Sequence, residues 1–165
     1  MKYTVLTLLG CLLIFGSNAQ LSNPTSIEDS SCLRLPKDST DYYFPNNIFD
    51  LDSSNNGRTS FLNEWYFDHL FSMQEPIIDT CEEVDVYRFT WIRTFKNPIV
   101  VRITKKDSSV SLIWKSTNGL GGYYAGNIKK NGSKELSLKE WEKLKKKIKK
   151  CKFEKLPSAE KSHGK

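Results

Sequence analysis

Histidine, cysteine and paired carboxylates are the side chains most often used for chemistry, and in this sequence they are few and scattered. The two histidines, His69 and His163, have no partner at the spacing of a metal site or of a nucleophile and its base. A nucleophilic or zinc mechanism therefore has little support, and His69, inside a helical stretch, reads as a helix-surface residue. Glu82 and Glu83 are adjacent and would point to opposite sides of an extended chain, so a carboxylate-based hydrolase would need Glu75, Glu82 and Glu83 to converge across a cleft. Asp52-Ser53-Ser54-Asn55-Asn56-Gly57 has the oxygen donors of the first half of a calcium loop. Asn63 stands where the closing glutamate belongs, and the expectation is an Asx-rich turn. Gly119-Leu120-Gly121-Gly122 lacks a following Lys-Ser/Thr and reads as a hairpin turn rather than a phosphate loop. The chain reads as non-catalytic, with no metal and no cofactor expected.

Two stretches could bind rather than react. In "YRFTWIRTFKNPIVVRITKK", residues 87–106, Tyr87, Phe89 and Trp91 share one face of an extended chain and could stack bases or sugar rings. Arg88 and Arg93 are an odd number of residues apart, so an unbroken strand would place them on opposite faces rather than in one stripe. A helix with an apolar seam needs a sheet face to cover, which makes core packing the expected role of the aromatic face. The second stretch is Lys145-Lys146-Lys147 with Lys149, Lys150 and Lys152, which could attract lipid headgroups or acidic polysaccharide. Its bland counterpart is a solvated helix face whose cations complement the helix dipole. The candidate binding residues are Lys145, Lys146, Lys149, Lys150, Arg88 and Arg93.

Charge supports that division. The formal net charge is +6, yet residues 1–138 hold 14 Lys and Arg against 15 Asp and Glu. Residues 139–155 hold nine Lys against three Glu, so the basic character belongs to one segment. At the other end, Lys2, the apolar run Val5 to Phe15 and Ser17-Asn18-Ala19 read as a secretory signal peptide over 1–19, cleaved before Gln20. The apolar run is too short to span a bilayer about 30 Å thick, and a lipid-bearing Cys11 is the alternative to simple cleavage. The expected destination is the periplasm or the exterior. There, Cys32 and Cys81 are the expected disulfide, because Cys151 falls on a predicted apolar helix face and reads as a buried free thiol.

These residues need elements to position them. Residues 20–59 read as an irregular polar arm. Residues 60–157 read as one α+β domain: a leading helix from Ser60 to about Met73 and a four-stranded antiparallel meander, with a C-terminal amphipathic helix packed on the sheet. The fourth strand is expected at Tyr123 to Lys130 with a reversal at Asn131-Gly132. Ser137 and Glu140 form a capping box, and Trp141, Leu144, Ile148 and Cys151 make the apolar seam. Leu156-Pro157 closes the helix and 158–165 is a polar tail.

The blocks "NEWYFDHLFSMQEP", "VYRFTWIRTFKNPIVVRI" and "GLGGYYAG" together resemble a family of uncharacterised bacterial secreted or periplasmic proteins, over residues 62–157. The resemblance implies a shared fold and export, and brings no catalytic residue. Members of that family continue past the Leu-Pro, whereas this sequence stops at Gly164-Lys165 and looks C-terminally shortened, which leads to the expectation of an open sheet edge prone to self-association.

Overall fold

The computed structural model describes residues 33–38, 40–44, 56–78 and 84–152, together with the backbone of Val5 and Leu6. Its centre is an antiparallel meander of four strands: β2 (Asp85–Trp91), β3 (Ile99–Lys106), β4 (Ser109–Thr117) and β5 (Ile128–Glu135). The two-residue strand β1 (Val5–Leu6), within the stretch read as a leader, pairs in parallel with Arg88 and Phe89 on the outer edge of β2. Helix α1 (Asn56–Ser72) precedes the meander and helix α2 (Leu138–Lys150) follows it, giving the expected α+β order. No helix among the described residues is long and apolar enough to cross a membrane.

Alternation along the strands sorts side chains onto two faces. Cross-strand pairs Phe89–Val101 and Val101–Trp114 define one face, with Tyr87, Trp91, Ile99, Ile103 and Leu112. Arg88–Arg102 and Arg102–Ile113 define the other, with Thr90, Val100, Thr104 and Ser111. The second face carries α1. The main apolar cluster consists of Phe67, Leu70 and Met73 from the helix, Tyr43, Phe44 and Ile77 from flanking segments, and Val100 from the sheet.

Three boundaries differ from expectation. Helix α1 begins at Asn56, so Ser60 lies inside it and Asn56-Gly57 is helical rather than part of an Asx turn or a calcium loop. Gly57 weakens a helix by about 1 kcal/mol relative to Ala, a cost that the rest of a 17-residue helix outweighs. Asn131-Gly132 is not a reversal but the middle of β5, because Gly132 lies directly opposite Trp114. A Cβ at Gly132 would come within 2.7 Å of Trp114 Nε1, so the glycine makes room for an indole. The reversal falls in residues 118–127. Finally, α2 ends at Lys150, well before Leu156-Pro157.

The start of α2 is as expected. Glu140 N–H donates to Ser137 Oγ at 3.3 Å, and Ser137 N–H donates to the Glu140 carboxylate at 2.8 Å. Trp141 is fully buried, with its ring 5.5 Å from that of Tyr87 on the first sheet face. Leu144 and Ile148 are half-buried behind it. Cys151 corrects the expected seam: it is the C-cap residue and is exposed. By then the helix has ended, and Lys152, with φ near 50°, turns the chain off the helix axis. Strand β5 is the outer edge opposite β1, and Lys129, Lys130 and Lys134 stand exposed along it. Charged edge residues of this kind oppose the addition of another strand.

Candidate functional site

The densest polar arrangement lies where α1 stops. Gln74 adopts φ near 51°, and Gln74 N–H donates to Phe71 C=O at 2.8 Å while Glu75 N–H donates to Leu70 C=O at 3.0 Å. This is the Schellman pattern of a helix end, and it turns Glu75 away from the helix axis into the interior. Four successive residues are then tied down. Lys115 Nζ donates to the Gln74 carbonyl at 2.8 Å, Tyr43 Oη to the Glu75 carbonyl at 2.8 Å and Arg88 to the Pro76 carbonyl at 2.8 Å, while Ile77 N–H donates to Arg34 C=O at 2.8 Å.

The Glu75 carboxylate is fully buried and lies between two cations. Arg102 Nε donates to Oε2 at 3.0 Å, and Lys115 Nζ is 3.0 Å from Oε1. Arg102 also reaches Thr104 Oγ1 at 3.3 Å. The Arg88 guanidinium sits 5.4 Å above the Tyr43 ring and 5.7 Å above that of Phe44, so aromatic faces as well as carbonyls compensate its burial. Burial pushes the Tyr43 phenol above its ordinary range. A carboxylate enclosed in this way is a clasp joining α1 to β3 and β4. It has no open side from which to exchange a proton with a substrate. Glu82 and Glu83, the other members of the imagined hydrolytic set, lie outside the described residues, as do Cys32, Cys81 and His163.

The six sequence-selected binding residues separate in the structure. Arg88 is buried on the α1 face of the sheet and belongs to the clasp. Arg93 lies beyond the end of β2, exposed in the loop, so the two arginines share no surface. On α2, Lys145 bends back to Glu142 at 2.7 Å and lies 5.6 Å above the Trp141 ring. Its ammonium is held above the usual lysine range first by the hydrogen bond it donates to Glu142. Lys146 and Lys150 instead join Lys139, Lys143 and Lys147 at positions i, i+4, i+7, i+8 and i+11, all exposed, on the side opposite Trp141 and Ile148. Lys149 flanks this ridge. The ridge is a continuous cationic surface, with its helix anchored to the sheet by one indole.

His69 corrects a second expectation. It is buried rather than on the helix surface, edge-on to the Trp65 ring at 5.7 Å, and its burial lowers its pKa below the ordinary imidazole value. Sequence reasoning also missed Arg102 and Lys115, the two partners of Glu75. Their signal was available: each interrupts an apolar strand at the period-two position shared with Arg88. Among the described residues, no group of histidines, cysteines and carboxylates is arranged to hold a metal ion. The chain matches no protein-family model, no curated protein and no solved structure.

Proposed function

We propose that this is an exported, non-catalytic binding domain whose α2 lysine ridge docks on a polyanionic surface, either lipid headgroups or an acidic polysaccharide. The observation that carries this reading is the separation of roles on α2: Trp141 holds the helix to the sheet, while five lysines at helical spacing face solvent without an acidic residue among them. A helix that served only to cover the sheet would need the seam and not the ridge. The enclosure of Glu75 by Arg102 and Lys115 supports a non-catalytic reading, since the most buried carboxylate among the described residues is committed to structure. Export rests on Lys2, the apolar run Val5 to Phe15 and Ser17-Asn18-Ala19, and on the resemblance to secreted bacterial proteins.

Heparin retention measured against salt tests the binding. Release at rising ionic strength is expected, because ridge and polyanion are both solvent-exposed and screening acts within about 10 Å at 0.1 M. Replacing Lys143, Lys146 and Lys150 together by Gln should advance elution markedly. Retention unchanged by that triple substitution would remove α2 from the binding surface. Amino-terminal sequencing of exported protein tests the leader, with Gln20 as the expected first residue.

A further inference from the structure

The loop after β2 (residues 92–98) and the loop after β4 (residues 118–127) are welded into one body by backbone hydrogen bonds. Phe95 N–H donates to Gly121 C=O at 3.2 Å, Gly121 N–H donates to Lys96 C=O at 2.9 Å, and the Asn97 side chain donates to Gly119 C=O at 2.9 Å. The approach is close enough to require glycine: a Cβ at Gly121 would come within 2.5 Å of the Arg93 carbonyl. On this rigid body the large side chains point outward rather than inward. Phe95 is 64% exposed, Tyr123 63% and Tyr124 55%, and the Phe95 and Tyr123 rings lie together with centroids 5.1 Å apart.

The backbone turn serves the fold, with Lys96 N–H donating to Arg93 C=O at 3.0 Å, but the turn does not ask for an exposed aromatic ring at its centre. Phe95 sits at φ near 62°, a left-handed conformation that bulky side chains rarely adopt and that asparagine or glycine would tolerate better. A strained backbone holding an exposed ring is the pattern expected where the ring serves a contact outside the molecule. The chemistry of the surroundings narrows the partner. Neither loop contains an acidic residue, and Arg93 and Lys96 stand exposed beside the rings. Two of the loop amides are engaged within the loops: the Asn97 side chain donates to Gly119 C=O, and Asn118 Oδ1 accepts from Asn127 N–H at 2.8 Å. What the loops offer outward is aromatic area with cations around it. That combination suits the boundary of an anionic bilayer, where amphipathic rings sit at headgroup depth and basic side chains meet lipid phosphates.

We infer that the paired loops carrying Phe95, Tyr123 and Tyr124 form a bilayer-contacting tip that inserts its rings at the headgroup level of an anionic membrane. This deepens the polyanion reading by naming a lipid surface, and it rests on residues distinct from the α2 ridge. The test is co-sedimentation of the full chain with phosphatidylcholine–phosphatidylglycerol vesicles, beside heparin retention, for the wild type and the Phe95→Asn, Tyr123→Ser double variant. Both positions are exposed and Phe95→Asn relieves the left-handed strain, so the melting temperature should hold or rise. Vesicle binding should fall about tenfold or more, since burial of apolar rings is lost, while heparin retention stays as in the wild type. The wild type should also retain a salt-resistant part of its vesicle binding that the double variant lacks, because apolar insertion is not screened. Equal vesicle binding by both proteins, or no vesicle binding by the wild type, overturns the inference while heparin retention keeps the polyanion reading standing. A parallel loss on heparin and vesicles also overturns it, by making the loops part of a general anion site.

Discussion

The two faces of the sheet reverse the usual relation between residue type and burial. The face built from Arg88, Thr90, Arg102, Thr104 and Ser111 is the buried one, whereas on the apolar face Val110 is buried but Tyr87, Phe89, Ile99, Val101, Ile103, Leu112 and Trp114 are only half-covered, and Trp91 is exposed. The difference lies in what each face meets. Phe67, Leu70, Met73, Tyr43 and Phe44 bring apolar surface to the polar face, whose arginines can pack their alkyl stems while their head groups are bound by carbonyls, Glu75 and rings. The apolar face meets one anchoring indole from a helix that is otherwise largely lysine. Alternation in a strand therefore identifies the two sides, while the packing partner decides which side becomes the interior.

The sharpest way to break this comparison is to remove the clasp. Glu75→Ala leaves Arg102 and Lys115 buried without their carboxylate and should cost about 3 to 5 kcal/mol, read as a lower urea midpoint. A loss under about 1 kcal/mol would mean that water reaches the cluster and that the polar face is buried in name only. Replacing all three by apolar residues, Glu75→Leu with Arg102→Met and Lys115→Met, should restore most of the loss, because desolvation of the charges disappears with them. On the other face, Trp141→Ala should cost about 3 kcal/mol, the low end of the range for large aromatics, since the half-exposed surroundings can relax. If Trp141→Ala proved as costly as the clasp variant, the apolar face would have to be counted as a second core.

How far each face could be read in advance follows from the same reasoning. The strands of the meander, the capping box and the burial of Trp141 were legible because each is a local pattern: alternation, a serine three residues before a glutamate, an apolar seam at helical spacing. The clasp was not, because Glu75-Pro76 gives only a stop signal in sequence, and its partners Arg102 and Lys115 stand 27 and 40 positions away on neighbouring strands. His69 was placed on the surface since helical periodicity does not reveal what packs against the polar side. Asn131-Gly132 misled for a related reason, in that a strong turn pair was overridden by the need of Trp114 for an uncluttered neighbour. Cys151 followed the seam in register but fell one residue beyond the helix it was meant to complete.

Acid titration sharpens the comparison with smaller effects. His69, on the α1 side, has a folded-state pKa below its ordinary value of 6.5, chiefly from burial, with Asp68 opposing. The unfolded chain then binds the proton more readily, so stability is full above pH 6.5 and declines as the pH falls through that value toward the folded pKa. Glu140, at the start of α2, is lowered from 4.5 to about 2, first by the Ser137 backbone hydrogen bond, then by the Ser137 hydroxyl and Lys134. Its contribution is present above pH 4.5 and is lost as the pH falls from there to about 2. Urea midpoints across pH should therefore show two separate declines. His69→Gln should flatten the upper one alone, and Glu140→Gln should reduce the lower one, which Glu140 shares with Asp41, itself lowered to about 2 first by the hydrogen bond it accepts from Arg34. A single merged decline affecting both variants equally would place the two groups in one coupled network and dissolve the distinction between faces.

The smallest expected effect on stability is at the α2 ridge, and its smallness is what separates a binding surface from a structural one. Changing Lys143, Lys146 and Lys150 to Gln removes cations from the later turns of the helix, where each would favour the dipole by about 0.3 to 1 kcal/mol at low salt. The same change also removes like-charge neighbours, Lys143 with Lys146 and Lys147, and Lys146 with Lys149 and Lys150, each pair costing about 0.2 to 0.5 kcal/mol. The two contributions oppose one another, Gln and Lys have nearly equal helix propensity, and none of the three side chains touches the sheet-facing seam. The net change should stay within about 0.5 kcal/mol, measured by urea denaturation at low and high salt. In the wild type, added salt screens the repulsion within the ridge and the attraction to the dipole together, so its stability should move little. A loss well above about 1 kcal/mol in the triple variant would show that the lysines hold α2 in place, and any fall in polyanion retention would then reflect a loosened helix rather than a lost contact.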